Sequence, residues 1–137
     1  MPGISLEDWG PSGWDVLHVF AHTAPRELTA EQVSEYRTFF EHFARLLPCS
    51  RCRTHFQRFL ASRMTDEALA TRHGMVTLMN DAHNEINASH GKKTYSLPEH
   101  YRVYLTKPPV RITAPAVVAV VACLLLLVAS CYRRPAR

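Results

Sequence analysis

Apolar side chains recur every three or four positions over most of residues 11–105, a spacing that gathers them on one face of an α-helix. The first such stretch, residues 11–23, predicts a helix that Pro25 ends. Its apolar side chains at helical spacing are Trp14, Leu17, Val19 and Phe20. We therefore expect this helix to pack against the rest of the domain through one apolar face.

A second and a third helix are predicted on the two sides of Pro48. Thr29 and Gln32 form a capping box at the start of the second helix, and the residue before a proline is disfavoured in a helix, so Pro48 ends it. The predicted inward side chains of this helix are Val33, Tyr36, Phe40, Phe43 and Leu47. The short third helix has its own apolar face, made of Phe56, Phe59 and Leu60.

Two more helices complete this part of the chain. A stripe at i, i+3 and i+4 spacing follows Gly74 and closes near Gly91, and its members are Met75, Leu78, Met79, Ala82 and Ile86. Ser96 and Glu99 form another capping box, which opens a last short helix through about Leu105. No segment alternates over the length of a strand, so the predicted fold is all-α, a four-helix bundle with a short fifth helix.

A long apolar run follows these helices. Residues 114–131 contain no charged side chain, and the apolar stretch extends over residues 112–132. About twenty residues at ~1.5 Å each span ~30 Å, the thickness of the apolar core of a bilayer. A domain this small has no second layer to bury such a run on every side. We predict a domain of residues 1–107, a stiff linker of residues 108–111, a transmembrane helix over residues 112–132 and a basic tail of residues 133–137.

The formal net charge of +4 does not come from the helical part. Residues 1–109 carry twelve Lys or Arg and twelve Asp or Glu, so they are formally neutral. The surplus comes from four arginines that flank the apolar run: Arg111, Arg133, Arg134 and Arg137. Such charge is typical of a membrane span, and no nucleic-acid partner is predicted. A separate basic group is interpreted as a solvated helix face, and it consists of Arg45, Arg51, Arg53 and Arg58.

The four cysteines are unevenly placed. Cys49 and Cys52 form a Cys-x-x-Cys where one predicted helix ends and the next begins, whereas Cys123 and Cys131 lie in or beside the apolar run. At a helix N-terminus and beside Arg51, the sulfurs of the first pair share a face, can close a disulfide and are favoured as thiolates. These conditions suit thiol–disulfide exchange.

Zinc binding is the main alternative for this pair. Zinc needs four ligands, and the nearest third candidate is His55, with no second cysteine pair before the apolar run, so no metal is predicted. A thioredoxin-like reductase would need strands, which the pattern lacks.

Residues 1–9 lack the apolar core of a signal peptide, so the domain is expected to begin in the cytosol. In the cytosol, a lone Cys-x-x-Cys indicates redox or metal chemistry.

Two further clusters combine aromatic and polar side chains at helical spacing. The first runs from Trp9 to His18 and places Trp14 and His18 at i, i+4 on one helix face. The members of the second are His83, Asn84, Asn87, Gly91, Lys92 and Tyr95. Taken singly, each of these residues has a plain structural explanation as a packed or hydrogen-bonded side chain.

Together and in this order, the three motifs resemble those of the Erv/ALR family of FAD-linked sulfhydryl oxidases. The match covers nearly all of residues 8–105 and comprises Trp-Gly-x3-Trp-x2-Leu-His, then Pro-Cys-x2-Cys, then His-Asn-x-Ile-Asn with a downstream Gly-Lys and an aromatic. The resemblance implies a bundle that holds FAD non-covalently beside the disulfide and forms a homodimer through its first two helices. It also implies an enzyme that makes disulfides in protein substrates and reduces molecular oxygen to hydrogen peroxide.

The same resemblance assigns roles residue by residue. Cys49 matches the outer cysteine, which forms the mixed disulfide with substrate, and Cys52 matches the inner one, which faces the flavin. The residues that it places around the cofactor are Gly10, Trp14, His18, His83, Asn84, Asn87, Lys92 and Tyr95.

Two positions depart from the family pattern. Ala24 stands where many members have an aromatic, and Asn80 stands where many have the cysteine of a structural disulfide. Viral members can be similarly reduced, so a viral version, located in a virion membrane, is one expectation.

Two functional hypotheses follow. The first is an FAD-dependent thiol oxidase, anchored by its C-terminal helix with the domain facing the cytosol. Because the chain has no second cysteine pair on an arm, its substrate is expected to be a small dithiol or thioredoxin-like protein. The second is a non-catalytic, membrane-tethered zinc-binding or adaptor module.

Overall fold

The computed structural model describes residues 5–106 of the 137-residue chain. The helices in this range are α1 (Leu6–Thr23), α2 (Ala30–Leu46), α3 (Ser50–Arg63), α4 (Asp66–Leu69), α5 (Arg72–Ser89) and α6 (Leu97–Leu105). Over the same residues no strand forms, and a single bridge joins Glu27 to Thr71. The all-α prediction is confirmed for this range.

The predicted membrane helix of residues 112–132, with Cys123 and Cys131, lies outside the described residues. So do the linker and the basic tail. Among residues 5–106, no helix combines the length and the apolarity needed to cross a bilayer.

Helix α1 begins at Leu6, five residues before the predicted start at Pro11. Ser5 and Asp8 form a capping box that the sequence analysis did not use, with the Ser5 side chain accepting from the backbone N–H of Asp8. Pro11 lies inside the helix and cannot donate to the carbonyl of Glu7. Both residues are exposed, so water can hydrate that carbonyl, and the helix tolerates the proline.

The predicted ends of the other long helices hold to within a few residues. The Thr29–Gln32 capping box is present at the start of α2, and α5 is capped by Thr71, three residues before Gly74. Gly91 follows the end of α5 with a φ of 64°, a conformation that glycine adopts without strain.

The four-residue helix α4 was not predicted. Thr65 caps it by accepting from the backbone N–H of Ala68, and it packs against α5. At Gly74 the two helices come so close that a Cβ would lie 2.4 Å from the carbonyl oxygen of Ala68. The glycine is therefore required by this contact.

The core lies between α1 and α5 on one side and between α2 and α3 on the other. Its largest fully enclosed apolar side chains are Phe40, Leu69, Met75, Val76 and Met79. Most predicted inward positions are buried, whereas Val19 and Phe20, which are apolar residues at helical spacing in α1, are 55% and 43% exposed and lie outside the core. On α1, Leu17 and Ala21 are buried, and Trp14 and His18 contact His83 of α5.

Candidate active site

Cys49 and Cys52 form a disulfide at the start of α3, as their spacing allows. Cys49 is the N-cap residue, its Cα lies 5.2 Å from that of Cys52, and its sulfur accepts from the Cys52 backbone N–H at 3.1 Å. Arg53 fixes the approach to this turn, because its guanidinium donates to the carbonyl oxygen of Leu47 at 2.7 Å. No acidic residue occupies the first turn of α3, so the helix N-terminus stabilises a thiolate once the disulfide is reduced.

The disulfide lies on the wall of a cavity of about 640 Å³, a size typical of cofactor sites. Helices α1, α3 and α5 contribute most of the wall. The aromatic and cysteine side chains that line it are Trp9, Trp14, Phe43, Phe56, Cys49 and Cys52. Gly10 and Gly13 also line it, and a Cβ at Gly13 would meet the ring of Trp9 at 3.4 Å.

Trp14 forms a stack with two histidines behind the cavity wall. Its ring lies parallel to that of His83, 4.2 Å between centroids with an interplanar angle of 6°. The His83 Nδ1 lies 3.0 Å from the Nε2 of His18, which is fully buried. Burial lowers the pKa of His83 to about 4, with Lys92 adding to the effect and Asp15 opposing it. The His83 imidazole is therefore neutral near pH 7, and its Nδ1 is within hydrogen-bond distance of the His18 Nε2.

Asn84 is held by the segment that follows α5. Its side chain accepts from the backbone N–H of Tyr95 at 2.8 Å and donates to the Tyr95 carbonyl oxygen at 2.7 Å. Asn80 donates to the same carbonyl at 3.2 Å. The structure thus shows a hydrogen-bonded attachment at the position where the family pattern has a cysteine.

Asn87 and Lys92 meet at the turn after α5. Asn87 is buried, and its backbone carbonyl accepts from the backbone N–H of Lys92 at 2.8 Å. The Lys92 side chain is exposed, whereas that of Tyr95 is half-buried.

The eight predicted cofactor residues therefore fall into two groups. Gly10 and Trp14 line the cavity that holds the disulfide. The others lie behind Trp14 or around the C-terminal end of α5, and they are His18, His83, Asn84, Asn87, Lys92 and Tyr95.

A second histidine pair was missed by the sequence analysis. The Nε2 atoms of His22 and His100 lie 3.2 Å apart, although the two residues are 78 positions apart in the chain. Burial, with smaller contributions from His22 and His83, lowers the pKa of His100 to about 4, and burial followed by the charge of Arg72 lowers that of His22. The i, i+4 spacing of His18 and His22 was visible in the sequence, but the partner on α6 was not.

His55 was considered only as a zinc ligand, and the structure gives it another partner. Its Nε2 lies 2.7 Å from a carboxylate oxygen of Glu85, which links α3 to α5 beside the cavity. Across residues 5–106, no group of three or more His, Cys, Asp or Glu is arranged to hold a metal ion. The zinc-binding alternative has no support in this part of the chain.

Comparison with known proteins places these features in a family. The family model described as Erv1 / Alr matches residues 11–105. The chain is similar to the probable FAD-linked sulfhydryl oxidase of Acanthamoeba polyphaga mimivirus, with 37% identity over 97 residues, which is 70% of this chain and 68% of that protein. It is also 29% identical to the mitochondrial FAD-linked sulfhydryl oxidase ERV1 of Saccharomyces cerevisiae, over 60% of this chain and 42% of that protein. The match thus spans two thirds of the viral relative and less than half of the yeast one.

Solved structures share the fold. The crystal structure of the yeast Erv1 core superposes with a TM-score of 0.69 at 23% identity, over 76% of this chain and 86% of that chain. The FAD binding domain of Erv1 from Saccharomyces cerevisiae gives the same TM-score of 0.69 at 24% identity, over 74% of this chain and 95% of that one. The predicted helical bundle is therefore the fold of these domains.

Proposed function

The chain belongs to the Erv1 / Alr family, and on this premise we propose that it is an FAD-dependent thiol oxidase that forms disulfides through Cys49 and Cys52. The observation that carries the proposal is the disulfide on the wall of a cavity large enough for a cofactor. When bound, FAD accepts an electron pair and passes it to oxygen, which becomes hydrogen peroxide.

The residues of the cavity suit this cofactor. Trp14, Phe43 and Phe56 offer apolar faces for a planar ring system. The ionisable side chains on the wall, apart from the cysteines, are all basic, and they are Arg51, His55, Arg58 and His90. The wall therefore carries no carboxylate that would repel the diphosphate of FAD. The predicted contacts of Gly10 and Trp14 with FAD agree with their place on this wall.

The reaction begins at the sulfur of Cys49. A substrate thiolate attacks it, the Cys49–Cys52 bond breaks, and Cys52 leaves as a thiolate stabilised at the N-terminus of α3. The second thiolate of the substrate then attacks the substrate sulfur in the mixed disulfide. A disulfide forms within the substrate, and Cys49 is released as a thiolate. The substrate has then lost two electrons and two protons, and the cysteine pair has gained two electrons and becomes reduced.

The two cysteines differ in their surroundings in the way that this order needs. Cys52 packs against the hydrophobic core. Cys49 lies at the cap between Pro48 and Ser50, which are both exposed. We therefore assign the outer role to Cys49 and the inner role to Cys52.

The test is oxygen uptake by the purified full-length chain with a dithiol substrate. We expect a yellow, flavin-containing protein, hydrogen peroxide equal to the thiol pairs consumed, and loss of turnover in both Cys49→Ser and Cys52→Ser. Cys123→Ser, which leaves the proposed pair intact, serves as the matched control. A colourless protein, or full turnover without Cys49, would show that the proposal is wrong.

A homodimer through α1 and α2 is also proposed, and an exposed apolar strip on these helices supports it. The strip consists of Val16, Val19, Phe20 and the half-buried Phe39. The rings of Phe20 and Phe39 lie 4.5 Å apart and tie the two helices into one surface. Val19→Asp should lower the mass measured by sedimentation from that of a dimer to that of a monomer. A parent chain that sediments as a monomer would contradict the dimer.

Membrane attachment and sidedness are proposals that rest on the sequence alone. We propose that residues 112–132 span a membrane and that the oxidase domain lies on its cytosolic side. In a virus, the membrane would be that of the virion. The support is the uncharged apolar run with its flanking arginines. Resistance to carbonate extraction, together with digestion of the domain by protease added to sealed vesicles, is the expected result.

A further inference from the structure

Charge is segregated around the active disulfide. Residues 1–109 are formally neutral, yet residues 42–65, which contain the cysteine pair, carry five arginines and no Asp or Glu. The positive charge is therefore concentrated in the segment that contains the cysteine pair, and Arg51 and Arg58 of this segment line the cavity beside the disulfide.

Some of these arginines have partners inside the domain. Arg45 lies 3.7 Å from Glu41, and Arg53 donates to the carbonyl oxygen of Leu47. Arg51 and Arg58 are exposed, line the cavity, and form no ion pair with any residue that the structure describes. Their charges are thus available to a molecule that approaches the disulfide.

Exposed apolar residues precede the cysteine pair in the chain. Leu46 is 79% exposed, the largest exposed fraction of any large hydrophobic side chain in the described range, and Pro48 beside it is also exposed. We call Leu46, Pro48, Arg51 and Arg58 the arginine rim. Exposed apolar side chains next to charges with no ion-pair partner are typical of a transient protein contact.

We propose that the arginine rim docks a small dithiol protein through acidic side chains that flank its reacting cysteines. This inference rests on the proposed thiol oxidase function and identifies its substrate class. The approaching thiolate is itself negative, so the rim attracts both the reacting group and its neighbours. Opposite charge at a reactive face raises the rate of encounter by ~10- to 1,000-fold at low ionic strength.

The experiment compares three peptides that contain the same Cys-x-x-Cys, flanked by Asp and Glu, by Gln, or by Lys. Oxygen uptake by the full-length, FAD-loaded protein gives kcat/KM for each. At low salt, we expect the acidic peptide to exceed the basic one by at least ~10-fold in kcat/KM. In about 1 M salt, where charges are screened beyond ~3 Å, the ratio should fall to within about threefold.

Variants test whether the rim is responsible. Arg51→Gln combined with Arg58→Gln should reduce the acidic-to-basic ratio at least ~3-fold at low salt, mostly through KM. Glutamine is a good helix former, so α3 should persist. Arg26→Gln removes an exposed arginine beyond the C-terminal end of α1, away from the cavity, and should leave the ratio as in the parent.

Three results would overturn the proposal. Equal kcat/KM for all three peptides would show that charge does not select the substrate. If the double variant kept the parent's acidic-to-basic ratio of kcat/KM, residues other than Arg51 and Arg58 would select the substrate. Loss of bound flavin from the double variant would assign the two arginines to the cofactor. If the FAD-loaded protein oxidises none of the peptides and no small dithiol, the thiol oxidase function itself fails.

Discussion

Acidification from about pH 7 to pH 5 should destabilise the helical domain, because buried neutral histidines take up protons when the chain unfolds. Burial lowers the pKa of both His83 and His100 to about 4, against an ordinary value of 6.5. The unfolded chain therefore binds more protons than the folded one between these values. Each histidine therefore leaves the free energy of unfolding at its full value above pH 6.5, the pKa of the histidine in the unfolded chain. This free energy decreases as the pH falls from 6.5 toward 4.

His100 is the better probe, since it is 3% exposed and lies outside the proposed cofactor contacts. The groups that face it are His18 and His22 from α1, His83 from α5, and Tyr104 from its own helix. Burial raises the pKa of Tyr104 to about 12, so it stays neutral. A fully expressed shift at His100 would remove about 2 kcal/mol between pH 7 and pH 5, and we expect ~1 kcal/mol after screening.

The assay is urea unfolding followed by circular dichroism at both pH values, on the parent chain and on His100→Gln. Glutamine can still hydrogen-bond to His22 but does not titrate in this range, so the variant should lose ~1 kcal/mol less than the parent on acidification. His42→Gln is the matched control, because His42 is an exposed histidine on α2. A variant whose pH dependence equals that of the parent would refute the proposed role of His100.

Three other changes test the site and its support. Asn84→Ala removes both side-chain hydrogen bonds to the Tyr95 backbone and should cost ~1–3 kcal/mol in urea unfolding, whereas Asn84→Asp, which keeps an acceptor, should cost less. Gly74→Ala pushes a methyl group against the carbonyl of Ala68 and should cost at least ~1–3 kcal/mol, with an unchanged midpoint counting against the close contact. His83→Ala should lower flavin content and reduce the rise in melting temperature that added FAD produces, and full flavin retention would show that His83 is not needed for binding.

The fold was predictable where its signals are local. The Thr29–Gln32 capping box and the Cys-x-x-Cys spacing specify structure within a single turn, and the structure contains both features. Pro11 was misleading because proline is favoured in the first turn of a helix, whereas here Ser5 and Asp8 start the helix earlier. Helix α4 was missed because four residues are too short to show a periodic pattern.

The site was less predictable where its contacts join distant segments. The stack of Trp14 on His83 and the pairing of His22 with His100 depend on how α1, α5 and α6 pack together. Neither composition nor spacing contains that information, since the spacing specifies only which residues share a face of one helix. The family resemblance supplied His83 as a cofactor residue but gave no role to His100.

The contacts that hold α6 on the bundle do not depend on the redox state of the cysteine pair. Cys49 and Cys52 are the only cysteines in residues 5–106, so a turnover that opens their disulfide breaks no covalent link to α6. The segment that leads into α6 is held by Asn80 and Asn84 on the Tyr95 backbone, and α6 itself contacts α1 through His100. None of these contacts is sensitive to thiols. A reductant should therefore leave the packing of α6 in place, whereas acid should loosen it. The difference follows because amides and imidazoles hold α6, and Asn80 stands where a structural disulfide would have been sensitive to the enzyme's own substrates.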